Sequence, residues 1–283
     1  MLTIQEIYKE GIKKLEGAGI IDAALDAWYL LEHVTGISKA AYYGCPGREI
    51  CGEDKERYFY YIEERRKRIP LQHLTGVQEF MGLPFLVNAH VLIPRQDTEV
   101  LVETAMKRIR PGMRILDMCT GSGCILLSLL KLCKAGQVTG IGADISGEAL
   151  DVARENAVRL GISAEFVQGD LFERIASGTQ FDLIVSNPPY IPTGVIDSLQ
   201  EEVRLHDPRI ALDGKEDGLF FYRRITEEST SYLKRNGWLL LEIGCEQAVA
   251  VCRLMEAAGY DNIMVKKDLA GLDRVVMGMY NGE

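Results

Sequence analysis

Residues 114–133, RILDMCTGSGCILLSLLKLC, place a short apolar strand, a turn of small residues and an apolar helix in direct succession. Small turn residues let the backbone approach a ligand closely, and a helix N-terminus offers free N–H groups. Strand and helix patterns keep alternating up to residue 280, which predicts a mostly parallel sheet covered on both faces. Such sheets bind ligands beyond the carboxyl ends of their strands. We therefore predict an α/β fold with a Rossmann-like sheet.

The chain before this region has the pattern of helices. Thr3 and Glu6 form a capping-box pair, and apolar residues then recur at helical spacing. Gly36 is positioned to end a second helix, and a third is expected over residues 53–69. Residues 1–70 are therefore expected to form a small helical domain.

The third of these helices ends in EERRKR, residues 63–68. One interpretation is a docking patch for an acidic partner. The alternative, which we favour, is that the cations stabilise the negative C-terminal end of the helix dipole.

A different residue pattern separates the predicted helices from the region of alternating strands and helices. In residues 71–94, glycine and proline punctuate short apolar runs such as LPFLV, which predicts a β-hairpin linking two domains. Residues 95–283 are expected to form the second domain.

Charge and composition limit the classes of function. The net charge is −9, and residues 70–283 hold 21 basic against 29 acidic residues, so most of the excess lies there. Proteins that grip duplex DNA rely on Lys and Arg to neutralise phosphates, so direct duplex DNA binding is not expected. No stretch approaches the ~18–20 apolar residues that span a bilayer, so no membrane partner is expected.

The seven cysteines are odd in number and include no C-x-x-C pair. Paired spacing is what a zinc site usually needs, so no metal is expected. Free thiols indicate a reducing, cytoplasmic location. The N-terminus also lacks the uninterrupted apolar core of a secretory signal.

Asp117 begins the small-residue turn at the end of the first strand of the alternating region. A dinucleotide fingerprint would hold a pyrophosphate there, but an acidic side chain would repel phosphate. It would instead favour a cation such as the methionine ammonium of S-adenosylmethionine. The alternative is a plain strand–helix turn whose glycines serve packing.

Two further carboxylates follow strands. Asp144 ends the next strand and can accept two hydrogen bonds from ribose hydroxyls, although it could also cap the following helix, a role for which Ser146 is equally suited. Asp170 follows a third strand and could accept from an adenine amino group, with Leu171 packing on the ring. For Asp170 a simple turn residue is the alternative.

The run Asn187-Pro188-Pro189-Tyr190 follows the strand FDLIVS. Two prolines fix φ and remove two N–H donors, and Pro188 restricts Asn187 to an extended shape. The result is a stiff loop that presents the Asn187 side-chain oxygen and the Pro188 carbonyl as acceptors. A planar –NH2 group offers two matching donors, and Tyr190 can stack on its flat face. The pattern predicts transfer of a methyl group to an amide or amino nitrogen.

Six segments make this order of motifs specific: PLQHLTGVQEFMGLPF, LIPRQDTEVLVE, SNPPYIP, DPRIALDGKEDGLFFYRRI, LLLEIGCEQ and KDLAGLDRVVMG. Together they resemble the PrmC/HemK family, which methylates the glutamine N5 of the Gly-Gly-Gln motif in class I peptide chain release factors. The resemblance covers most of residues 70–283 and implies a class I methyltransferase sheet. It also implies S-adenosyl-L-methionine as cofactor, a release factor bound through its GGQ loop, a partner-binding helical domain and a monomer.

By position, the resemblance implies roles for individual residues. Asn187 would touch the cofactor side as well as the acceptor, and Asn187 to Tyr190 would hold the glutamine. The expected catalytic residues are Asn187, Pro188, Pro189 and Tyr190. The expected cofactor-binding residues are Asp117, Cys119, Thr120, Gly121, Ser122, Gly123, Asp144, Asp170, Leu171 and Asn187.

Two positions depart from the family pattern. Cys119 stands where the family usually has glycine, and Gln96 stands where it usually has proline. If the backbone at residue 119 has positive φ, the cysteine stores strain of about 1–3 kcal/mol.

Two other functions fit parts of the pattern. A DNA or RNA methyltransferase acting on adenine N6 or guanine N2 would share the loop at Asn187, but would have to extract a base and grip a backbone. A cofactor-sensing or scaffold protein with a disabled site is the non-enzymatic alternative, which Cys119 keeps open.

Overall fold

The structure is a computed structural model that describes residues 3–282. The helices are α1 (Ile4–Gly17), α2 (Ala23–Thr35), α3 (Lys39–Gly44), α4 (Gly52–Arg66), α5 (Leu71–Thr75), α6 (Glu99–Met106), α7 (Cys124–Leu132), α8 (Gly147–Leu160), α9 (Glu201–His206), α10 (Arg209–Leu212), α11 (Phe220–Glu228) and α12 (Ala248–Ala257). The strands are β1 (Val77–Phe80), β2 (Leu83–Leu86), β3 (Arg114–Met118), β4 (Thr139–Asp144), β5 (Glu165–Gln168), β6 (Phe181–Ser186), β7 (Leu233–Glu242), β8 (Tyr260–Lys267) and β9 (Asp273–Tyr280).

The chain divides into two compact units. The first runs to Gly76 and also takes in Gln200–His206, which carries α9, and the second contains the remaining residues. The sequence did not predict that α9 joins the first unit, because its short polar run has no apolar stripe that identifies a packing partner.

The first unit is helical, as predicted. Thr3 caps α1 through a capping box with Glu6, and Gly36 ends α2 in the left-handed conformation. Apolar side chains of α1, α2 and α4, including the fully buried Tyr58, form its core. Two short helices, α3 and α5, were not predicted.

The four cations of the EERRKR segment are all paired inside the first unit. Arg65 is nearly buried and donates to Asp26 at 2.7 Å and to Glu202 at 3.3 Å. Arg68 also pairs with Glu202, and the two exposed cations pair with glutamates one turn earlier on α4. The segment therefore forms ion pairs within its own unit, which argues against a docking patch, and the interaction with the helix dipole stays a prediction.

The predicted β-hairpin is present as β1 and β2, which pair antiparallel, but it covers only part of the expected range 71–94 and belongs to the second unit, whereas Leu71–Thr75 form α5 of the first. Met81 and Gly82 form its two-residue loop, and both have positive φ, as a tight hairpin turn requires. Phe80 and Phe85 anchor the hairpin in the apolar core of this unit.

The described residues of the second unit form a seven-stranded sheet with the order β5-β4-β3-β6-β7-β9-β8. The pairs from β5 to β7 are parallel, and β9 pairs antiparallel with β7 and β8. Helices α6, α7 and α8 cover one face, and α11 and α12 cover the other. The predicted mostly parallel, doubly covered sheet is confirmed.

The strand order reverses between β3 and β6. Chain succession runs from β3 outward to β5, then returns to β6 on the other side of β3. This topological switch point opens a crevice at the carboxyl ends of the two strands, where open α/β sheets bind ligands. Within residues 3–282, no helix is long and apolar enough to cross a membrane.

Candidate active site

A cavity of about 310 Å³ lies at the carboxyl ends of the strands beside the switch point. Its size falls within the ~300–1,000 Å³ typical of small-molecule sites. It is lined by eight of the residues predicted from sequence: Cys119, Thr120, Gly121, Asp144, Asp170, Leu171, Asn187 and Pro189. The turn after β3 and the loop after β6 therefore share one cavity. The register that pairs Met118 with Ser186 brings their ends together.

Asp144 is held at the end of β4 by two backbone donors. Its Oδ2 accepts from the Gly121 N–H at 2.8 Å and its Oδ1 from the Ser146 N–H at 3.0 Å. An ionised carboxylate can accept about four hydrogen bonds, so both oxygens retain acceptor capacity toward the cavity. The capping role goes to Ser146, whose Oγ accepts from the first turn of α8. Burial raises the pKa of Asp144, and these backbone donors oppose the rise.

Asp117 does not line the cavity. It is fully buried, and its Oδ2 accepts from the Thr120 hydroxyl and from the Leu126 N–H. Burial raises the pKa of this carboxyl to about 7. The side chain thus holds the turn against the start of α7, so the expected direct contact with a ligand ammonium has no support in this geometry.

Ser122 and Gly123 also lie outside the lining. Ser122 is buried, and its carbonyl accepts from Asn156 at 3.0 Å. Gly123 has φ +78°, and a Cβ there would lie 3.2 Å from the Cβ of Ala153 on α8. These two residues set the path of the turn and its packing. A packing role of this kind was the alternative to ligand binding considered for the whole small-residue turn.

Cys119 adopts φ +60°, the left-handed region that favours glycine. The backbone strain that was expected if residue 119 had positive φ is therefore expected here. The side chain lines the cavity, and burial raises the pKa of its thiol. The thiol is therefore held in its neutral form within the turn that follows β3.

Replacing Cys119 with glycine is expected to stabilise the protein by about 1 kcal/mol, because glycine removes the left-handed strain. The added freedom of glycine in the unfolded chain offsets part of the gain. Chemical denaturation monitored by circular dichroism measures the difference. Cys119→Ala is the matched control, since alanine removes the thiol but keeps the strained Cβ. An equal gain in both variants would contradict the backbone explanation.

Asp170 lines the cavity but is not free to accept from a ligand without competition. Both of its carboxylate oxygens accept from Arg224 Nη1 at 2.9 Å. Arg224 lies on α11 and lines the same cavity. Leu171 is nearly buried with φ +50° and presents an apolar wall beside this ion pair. Sequence reasoning missed Arg224, because nothing local links it to a strand end 54 residues earlier.

The loop after β6 is rigidly held. Asn187 is half-buried, lines the cavity, and donates from Nδ2 to Thr98 Oγ1 at 3.3 Å. Pro189 lines the cavity, whereas Pro188 is buried and lies outside its lining. Tyr190 is half-buried and packs against the apolar core, so it too lies outside the lining.

A second segment braces this loop from behind. Gln247 donates to the Tyr190 carbonyl at 3.0 Å and to the Gly218 carbonyl at 3.2 Å. A Cβ on Gly214 or Gly218 would lie 2.7 Å or less from Tyr190 backbone atoms, so only glycine fits there. The segments containing these residues, DGKEDG and EIGCEQ, were noted in the sequence without a structural role.

Several lining residues of the cavity escaped the sequence analysis. They come from the chain before α6 and from the region around α10 and α11: His90, Val91, Leu92, Pro94, Arg95, Thr98, Pro208, Ile210, Ala211, Lys215, Phe220, Phe221 and Arg224. For all of them except His90 and Val91, the available signal was their presence in the quoted segments LIPRQDTEVLVE and DPRIALDGKEDGLFFYRRI. Among residues 3–282, no group of three or more His, Cys, Asp or Glu side chains is arranged to hold a metal ion.

Comparison with known proteins agrees with this geometry. The PrmC N-terminal domain family matches residues 6–76, and the Methyltransferase small domain family matches residues 95–202. The release factor glutamine methyltransferase of Caulobacter vibrioides is 41% identical over 99% of this chain and 97% of its own length. The enzyme of the same name from Geobacter sulfurreducens is 41% identical over 98% and 96%.

Among solved structures, a methyltransferase from Pyrococcus furiosus superimposes with a TM-score of 0.56. The match covers 78% of this chain and 100% of that one, at 19% identity. This similarity confirms the predicted class I methyltransferase fold.

Proposed function

Because this chain belongs to the release factor glutamine methyltransferase family, we propose that it transfers a methyl group from S-adenosylmethionine to the glutamine side-chain amide of a release factor. The observation that carries the proposal is the cavity shared by Asn187 and the turn held by Asp144. One end offers acceptors for a nucleoside, and the other offers an acceptor for a planar amide. The acceptor glutamine is that of the GGQ motif.

The residues present fit the cofactor. Asp144 retains acceptor capacity for ribose hydroxyls, since its two observed donors are backbone N–H groups of the surrounding turns. Leu171 offers an apolar surface for the adenine ring, beside the polar pair of Asp170 and Arg224. Gly121 allows close approach of the backbone because no side chain stands over it.

When bound, S-adenosylmethionine supplies a methyl group on a positively charged sulfonium, an already activated donor. The task of the protein is therefore positioning. An amide nitrogen is a poor nucleophile because its lone pair is delocalised. Asn187 Oδ1 and the Pro188 carbonyl would accept from its two N–H groups, which orients the nitrogen and stabilises the positive charge that develops there. The proton can leave after transfer, so no strong general base is required.

The first unit is proposed to contribute to partner binding. Leu25 and Tyr29 lie four residues apart on α2 and are both more than two-fifths exposed. Large apolar side chains that are this exposed to solvent are candidates for contact with another protein. We propose that the GGQ loop of the release factor reaches the cavity and that the enzyme acts as a cytoplasmic monomer.

A nucleic-acid amino group is the less favoured acceptor. The second unit carries most of the acidic excess of the chain, and a duplex-binding enzyme would need a basic surface. The non-enzymatic alternative is also disfavoured, because Cys119 leaves the cavity open and Asn187 in place.

The function is tested with S-adenosylmethionine labelled in its methyl group. We expect label in a class I release factor, none in its GGQ glutamine-to-alanine variant, and none in duplex DNA or RNA. Mass spectrometry of the GGQ peptide should locate the methyl group on the glutamine side chain. Label in the alanine variant would contradict the glutamine assignment, and label in nucleic acid would favour the alternative.

A further inference from the structure

Glu242 is a buried acid at the end of β7 that the reaction as described does not use. It is 2% exposed, and its Oε2 has no hydrogen-bond partner among residues 3–282. The neighbouring Leu241 packs into the core on the α11 side, so Glu242 points to the opposite face, toward α6. A buried polar atom without a partner costs free energy. Its presence in a native structure therefore calls for an explanation.

Glu242 lies directly behind the acceptor loop. β6 and β7 pair in parallel with Ser186 opposite Leu241, so the next residues, Asn187 and Glu242, emerge side by side. Thr98, also buried, accepts from Asn187 Nδ2 at 3.3 Å. Burial raises the pKa of the Glu242 carboxyl, and the polar side chains of Thr98 and Asn187 beside it oppose that rise. The three side chains thus form one buried cluster.

The chemistry of this cluster determines which group donates and which accepts each hydrogen bond. An ionised carboxylate can only accept hydrogen bonds, so a neighbouring hydroxyl must donate to it. Thr98 then has its oxygen free to accept from Asn187 Nδ2, which is the observed contact. With Nδ2 turned inward, Oδ1 of the same planar amide faces the other way. Without the carboxylate, the amide could flip and present a donor to the substrate.

We propose that Glu242 is a positioning residue for methyl transfer, whose carboxylate acts with the Thr98 hydroxyl to hold Asn187 Oδ1 toward the acceptor nitrogen. This inference rests on the proposed function and deepens it, since it names what selects a hydrogen-bond acceptor at that position. Glu242 does not touch the substrate, and it acts through Asn187.

Titration of Glu242 should make this positioning depend on pH. Burial raises the pKa of its carboxyl to about 7. Arg274 on β9 opposes that rise, and Asp97, which forms an ion pair with Arg274, adds to it. Tyr190 also faces the carboxyl, and the hydroxyl of Tyr222 donates to the Glu242 backbone carbonyl. The ionised form is the active one, so kcat should rise as pH increases through about 7.

The test compares Glu242→Gln with the wild-type enzyme. Glutamine keeps the shape but can donate to Thr98, so the amide of Asn187 loses its single orientation. We expect kcat for release factor methylation to fall about tenfold, as for one lost hydrogen bond in the transition state. The KM for the release factor and the affinity for S-adenosylmethionine should stay within about twofold. The rise of kcat near pH 7 should disappear.

A second readout does not depend on turnover. In the free wild-type protein, the side-chain 15N–1H signals of Asn187 should shift with pH near the same midpoint, and in Glu242→Gln they should not. Thr98→Val should lower kcat as Glu242→Gln does, and Thr98→Ser should recover much of that loss by restoring the hydroxyl. Glu99→Gln is the matched control, because Glu99 is half-buried beside Thr98 and accepts from the Met81 N–H.

The outcomes separate this inference from the proposed function. A wild-type enzyme that methylates the release factor while Glu242→Gln keeps full kcat and the same pH profile overturns the positioning role and leaves the function intact. A folded wild-type enzyme without such activity overturns the proposed function. If the rise of kcat near pH 7 disappeared in both Glu242→Gln and Glu99→Gln, the pH dependence would reflect general electrostatics. That result would also overturn the role of Glu242.

Discussion

Replacing Asn187 with alanine is expected to lower the rate of methyl transfer by about 10²- to 10³-fold, the usual cost of removing one preorganised transition-state contact. Asn187 lines the cavity and is held by Thr98 at 3.3 Å, so its Oδ1 is fixed before the substrate arrives. Alanine removes the acceptor that orients the glutamine nitrogen. Cofactor affinity should change by less than about tenfold, or 1.4 kcal/mol, because Asp144 remains in place.

Single-turnover kinetics with a labelled methyl group measures the rate, and calorimetry measures cofactor binding. Gln180→Ala is the control, because Gln180 is an exposed amide that directly precedes β6, whereas Asn187 directly follows it. It should behave as wild type in both measurements. Turnover of Asn187→Ala at the wild-type rate would remove the acceptor role and, with it, the basis of the mechanism.

Replacing Asp144 with alanine is expected to weaken cofactor binding by about 10²-fold. The ribose hydroxyls lose two charge-assisted hydrogen bonds, each of which contributes about 1.5–3 kcal/mol in favourable cases. The backbone N–H groups of Gly121 and Ser146 lose their acceptor as well, so the turn loosens. With saturating cofactor, the rate of the chemical step should fall much less than the affinity.

Calorimetric titration of S-adenosylmethionine and of the demethylated product measures this effect. Asp151→Ala serves as control, since Asp151 is an exposed carboxylate on α8 that pairs with Arg154 of the same helix. Unchanged cofactor affinity in Asp144→Ala would exclude the ribose assignment. Equal losses in both variants would point to the stability of α8.

The elements of the fold were largely predictable because local patterns determine them. Strand and helix patterns located β3 to β9 and the longer helices α7, α8, α11 and α12 between them, and glycine and proline between short apolar runs indicated the hairpin. The sheet order was not predicted, since a pattern of apolar residues does not say which strand β9 pairs with. The short helices α3, α5, α9 and α10 carry too few residues to show a period.

The site was predicted where chemistry is concentrated in consecutive residues. Cys119, Asp144 and Asn187 were each identified from a strand end followed by a turn, and all three line one cavity. Asp117 was expected to contact a ligand, but it lies outside the cavity lining, and its Oδ2 accepts hydrogen bonds that form only once α7 packs on the turn. The residues behind the loop, Gln247 and Glu242, gave no local signal of their contact with it.

The sequence by itself determined the α/β class, the small-residue turn, and the stiff loop from Asn187 to Tyr190, because propensity, φ restriction and period act over a few neighbouring residues. Only the tertiary structure decided which polar groups face the cavity and which are used internally. Asp144 faces the cavity and Asp117 does not, although both follow strands of the same sheet. The physical reason is that hydrogen-bond partners and burial depend on residues distant in the chain, which the packing of strands and helices brings together.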